Sequence, residues 1–77
     1  MNRERRKRIM QLSEKLSEVR TSLESICEEE EDAFDNMPES LQESERGEQM
    51  QEYIETMEEA ISNIEEIESN LEEIYNV

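Results

Sequence analysis

The sequence has no histidine and no tryptophan, and it has one cysteine, one glycine and one proline. Each scarcity removes a class of chemistry. Without histidine, no residue is a ready general base for a nucleophile and the usual zinc ligand sets cannot be assembled. One cysteine, Cys27, rules out a disulfide within the chain and fits a reducing cytoplasm. One glycine, Gly47, leaves no glycine-rich loop to cradle a phosphate. No apolar run approaches the roughly 18 residues of a membrane span, and the basic N-terminus meets Gln11, Ser13, Glu14 and Lys15 where a signal peptide would be apolar. The expectation is a cytoplasmic, non-enzymatic protein without metal, cofactor, membrane or direct nucleic-acid partner.

Hydrophobic residues make up 32% of the 77, aromatics 4% and charged residues 40%. So little apolar surface cannot build a conventional globular core, but it can build the narrow apolar seam between long helices. From Ile9 the apolar residues are spaced 3, 4, 3, 4 and 3 apart: Ile9, Leu16 and Leu23 form an a column, and Leu12, Val19 and Ile26 a d column. The seam weakens through Glu28, Glu29, Glu30, Glu31 and Asp32 and is closed by Phe34. In the second half Met50, Met57, Ile64 and Leu71 form one column, and Tyr53, Ala60, Ile67 and Ile74 its partner. Ile54 and Ile61 widen that face beyond what one neighbouring helix covers.

Between the halves stands the only proline. Residue 37 is pushed out of helical geometry by Pro38, so the first helix, about 3–35, ends there. Ser40 with Glu43, and Ser44 with Glu45 and Glu48 after it, are two competing restart signals. They predict a short turn near 39–43 inside a connector of 36–44, then a helix over 45–76. The expected fold is all-α: one domain, an antiparallel two-helix coiled-coil hairpin. The surplus width of its second helix is buried by dimerisation into a four-helix bundle or a higher oligomer.

Net charge is −15, unevenly spread. Residues 1–20 hold seven basic and three acidic side chains, and residues 21–77 hold only Arg46 against 20 acids. Folding back would lay Arg3, Arg5, Arg6, Lys7 and Arg8 beside Glu65, Glu66, Glu68, Glu72 and Glu73. This structural use of the basic cluster is favoured over a nucleic-acid arm, because no aromatic residue interleaves and the rest of the chain repels phosphate. The acids Glu28, Glu29, Glu31, Asp32 and Asp35 point in several directions from a helix. They suit a solvated or basic-protein-docking surface better than a calcium site. Cys27, one position after Ile26, reads as a half-buried structural residue. The connector groups Asn36, Gln42, Ser44 and Arg46 would either cap helices or form a small polar pocket with Arg46 gripping an anionic, nucleotide-like ligand.

The stretch Ala33-Phe34-Asp35-Asn36-Met37-Pro38-Glu39-Ser40-Leu41-Gln42-Glu43-Ser44-Glu45-Arg46-Gly47-Glu48, followed by repeated Glu-Glu-apolar units, resembles small acidic proteins of bacteriophages, prophages and mobile elements of Gram-positive bacteria. In these a Phe-Asp-Asn-x-Pro-Glu-x-Leu-Gln-x-Ser-Glu-Arg connector joins two heptad helices. The resemblance implies a setting, not an activity. Small accessory proteins of such elements often inhibit host defence, so it implies a partner among host factors. Three functions remain in view: inhibition of a basic host protein through an acidic helical surface, sequestration of an anionic ligand at the connector, and structural oligomerisation.

Overall fold

A computed structural model of the chain describes residues 1–76; Val77, which the single-domain expectation includes, lies outside them. Helix α1 runs Arg3–Asp35, a one-turn α2 runs Glu39–Gln42, and α3 runs Glu45–Tyr75. A 33-residue helix is about 50 Å long, and the Cα atoms extend 58 × 14 × 14 Å. The chain therefore doubles back, with α1 packed along α3.

The helix ends follow their caps. Asn2 accepts a hydrogen bond from the Arg5 N–H at 2.8 Å, closing the first turn of α1 despite its run of cations. Asn36 terminates α1, its N–H donating back to the Asp32 carbonyl. Both predicted restarts are used, the first with a different cap: Pro38, not Ser40, precedes α2, with φ −56° and ψ 145°. Ser44 caps α3, accepting from the Gly47 N–H at 3.4 Å while its hydroxyl donates to the Leu41 carbonyl.

Gly47 is buried where α3 starts against α2. A Cβ there would lie 2.5 Å and 2.7 Å from the carbonyl carbon and Cα of Gln42, and closer still to its carbonyl oxygen. The one glycine is thus required by a close backbone approach, which outweighs its poor helix propensity.

The seam between α1 and α3 differs from the expected one. Leu16 and Leu23 face α3, but the column alternating with them is Ser13, Arg20, Cys27 and Phe34. Leu12, Val19 and Ile26, the expected d column, are 53%, 56% and 53% exposed. On α3 the inward columns are Met50, Met57, Ile64 and Leu71 with Ile54, Ile61, Glu68 and Tyr75, whereas Tyr53, Ile67 and Ile74 are exposed. Ile54 and Ile61, expected beside the seam, are in it. The physical reason lies in small and matched polar residues. Ser13 and Cys27 are small enough to be buried in the seam, and the charge of Arg20 is met by the one charge in the facing α3 column, Glu68.

Candidate functional site

The ion pairs among the described residues are both made by Arg20, to Glu24 at 2.8 Å and to Glu68 at 2.6 Å. The two carboxylates hold the Arg20 guanidinium even more firmly protonated than usual. Of the expected network, only Glu68 is engaged, and by Arg20 rather than by the cluster Arg3–Arg8. Those cations ring the open end of the hairpin, where Arg3, Arg6, Lys7, Met10 and Tyr75 line a shallow depression and the Arg6 Nε is desolvated without a hydrogen-bond partner. Tyr75 and Ser13 hydroxyls meet at 3.4 Å across the seam.

Cys27 is buried, 4% exposed. Its thiol lies 3.6 Å from a Glu31 carboxylate oxygen and 4.0 Å from the Ile54 carbonyl. Burial first, then the bond to Glu31 and the negative charge of Glu31, Glu58 and Glu28, push the thiol above its ordinary value of 9.0. The potential ligand atoms of Cys27, Glu31 and Glu58 lie within 4.8 Å of one another. A metal would require the thiolate, which this environment opposes, so the triad reads as packing. It does establish one geometric fact: Glu31 of α1 and Glu58 of α3 face each other on one side of the seam.

The connector residues are dispersed in role. Gln42 donates through Nε2 to the Phe34 carbonyl at 2.9 Å, tying α2 to the end of α1. Ser44 caps α3, and Asn36 caps α1 from an exposed position. Arg46 is exposed, lining an open depression with Glu45, Glu48, Gln49 and Glu52, and makes none of the described ion pairs. Of the four side chains expected at a ligand pocket, those of Gln42 and Ser44 thus bond the backbone, and Asn36 ends α1 through its main-chain N–H.

The proposed partner surface is also divided. Glu28, Glu29, Asp32 and Asp35 are exposed, while Glu31 is half-buried against Cys27. A longer acidic feature lies on α3. Glu45, Glu52, Glu59, Glu66 and Glu73 recur at every seventh residue and are all exposed on the side away from α1. Their seven-residue spacing, about 10 Å, carries this ladder along roughly 40 Å of helix. A glutamate at a fixed heptad position was visible in the sequence, but sequence reading followed the apolar positions and passed over it.

Comparison with known proteins gives no match: no family model fits the chain, and no curated protein or solved structure matches it. Among the described residues no helix is long and apolar enough to cross a membrane.

Proposed function

We propose that this chain is a non-enzymatic, self-associating interaction protein that binds a basic protein partner along its acidic face. The observation that carries this reading is the exposed ladder Glu45, Glu52, Glu59, Glu66 and Glu73; the exposed acids Glu28, Asp32 and Asp35 of α1 add negative charge near the connector from other faces of the hairpin. Like charges gathered along one face repel one another and contribute nothing to the packing of the helix. A long cationic surface would neutralise them. The resemblance of the connector supplies the setting: an accessory protein of a phage or mobile element, acting in the host cytoplasm, whose partner is a host factor, including one of defence. Covering that factor's nucleic-acid groove would inhibit it. Self-association buries the apolar side chains that a single hairpin leaves exposed, as a four-helix bundle or larger oligomer.

Titration with a lysine- and arginine-rich helical peptide tests the binding face. Affinity is expected to fall steeply between about 0.05 and 0.5 M salt, and to be lost in the variant Glu52→Lys/Glu59→Lys/Glu66→Lys while Arg46→Ala binds normally. Undiminished binding by the triple variant would refute the ladder as the docking surface. Loss of ligand response in Arg46→Ala alone would favour sequestration of an anion at the connector. Indifference to both would leave a purely structural oligomer.

A further inference from the structure

Two apolar columns, exposed except at the half-buried Ala60, lie on the same side of the hairpin. Leu12, Val19 and Ile26 each immediately precede a seam residue of α1, and Ala60, Ile67 and Ile74 each immediately precede a seam residue of α3. In an antiparallel pair, preceding residues of the two helices flank one side of the seam and following residues the other. Glu31 and Glu58, which face each other beside Cys27, mark the following side as acidic. The register fixed by Arg20–Glu68 and Ser13–Tyr75 sets Val19 level with Ile67 and Leu12 level with Ile74. The preceding side is thus one apolar strip built by both helices.

The charge pattern singles out this strip a second time. Eleven of the 31 residues of α3 are acidic, yet its strip column Tyr53, Ala60, Ile67 and Ile74 has none. The adjoining outer column, Gln49, Thr56, Asn63 and Asn70, is exposed and uncharged as well. The matching outer column of α1 is Arg8, Lys15, Ser22 and Glu29, basic towards the open end and acidic towards the connector. That order reverses sign about Ser22.

We propose that the strip is covered by a second copy of this chain lying antiparallel to the first, about a two-fold axis passing beside Ser22 and Leu23 of α1 and Asn63 and Ile64 of α3. Those two points are level in the hairpin, since residue 23 is three on from Arg20 and residue 64 is four back from its partner Glu68. One axis therefore serves both helices. It brings Val19 of one copy against Ile26 of the other and Leu12 against Ala33, while on α3 Ile67 meets Ala60 and Tyr53 meets Ile74, with large residues opposed to small in two of the four layers. Lys15 of each copy meets Glu29 of the other. The basic open end then lies over the acidic connector end of the second copy. A parallel pair would stack the acidic connector ends on each other, which the net charge of −15 per chain opposes.

This inference rests on the self-association in the proposed function and adds its face and direction. Sedimentation equilibrium of the wild type should give two copies of the 9.2 kDa chain, and Val19→Glu/Ile67→Glu should give one, with helicity by circular dichroism retained. Spin labels on Glu4→Cys in a Cys27→Ser background should lie roughly 55 Å apart, 37 residues of rise across the axis. Lys15→Glu should weaken dimerisation about tenfold, and adding Glu29→Lys should restore it. Labels about 20 Å apart or less would show a parallel pair, overturning the direction while leaving self-association standing. A monomeric wild type would overturn both, and any other mass, or a dimer that survives Val19→Glu/Ile67→Glu, would overturn the assigned face.

Discussion

Gly47 is the residue at which a single methyl group should cost most. Alanine gains about 1 kcal/mol of helix propensity over glycine, but its Cβ would enter the backbone of Gln42, and neither chain segment can swing aside as a flexible side chain would. Gly47→Ala is expected to lower stability by about 2–3 kcal/mol, read as a drop in thermal midpoint. A rise would mean that α2 does not pack on α3. Cys27 gives a prediction in pH. Its folded-state thiol is held above its ordinary value, so in the alkaline range the unfolded chain releases a proton that the folded chain retains. Stability is then full well below the ordinary value of 9.0, where both states are protonated, and falls as pH rises from there through the folded value. Cys27→Ala should remove that alkaline loss, and wild-type Cys27 should react with maleimide more slowly than the urea-unfolded chain at the same pH.

At the scale of the element, the ends of the helices were legible and the seam was not. Pro38 and Ser44 act through local chemistry that depends only on neighbours in sequence: α1 ends before Pro38 and α3 starts after Ser44 where the sequence indicates, although α2 is capped by Pro38 instead of Ser40. Ser44→Ala should accordingly cost about 1 kcal/mol, measured by urea unfolding. Which columns meet between α1 and α3 is a tertiary property. With two apolar columns on α1 and three on α3, hydrophobic spacing alone allows more than one pairing, and the choice falls to residues that look unsuited to a core. Ser13 and Cys27 bury because they are small, and Arg20 turns inward because Glu68 awaits it. Reading the polar residues for mutual complementarity, rather than the apolar ones for period, would have found the register. The pair need not itself be strongly stabilising: replacing Arg20 and Glu68 together by leucine should preserve or raise the thermal midpoint, while Arg20→Leu alone should lower it by stranding Glu68. Equal losses in the single and double variants would show that the seam is held by something else. The site was legible in part: the acidic character of the surface was evident, but Gln42 and Ser44 proved to be structural ties because their partners, the Phe34 carbonyl and the Gly47 N–H, are set by how the connector folds.

For the whole molecule, the same charges act in opposite directions on folding and on binding. With a net charge of −15 and ion pairs confined to Arg20 among the described residues, the glutamates repel one another along a narrow rod whose Cα atoms span 14 Å in its short dimensions. Screening weakens that repulsion over a Debye length of about 10 Å at 0.1 M salt, close to the spacing of the ladder along α3. The thermal midpoint of the protein alone should therefore rise with added sodium chloride, and self-association should tighten, because the strip between copies is apolar and charge-free on α3. Binding of a cationic partner should weaken over the same range, since its attraction is screened and its counterions are no longer released with profit. The two trends, followed by calorimetry and by peptide titration in one salt series, must cross in sign if the acidic face exists for a partner and the apolar strip for a second copy. A midpoint that falls with salt would mean that attractive pairs outweigh repulsion in the free protein, and the glutamate ladder would then already be satisfied within the molecule or its oligomer.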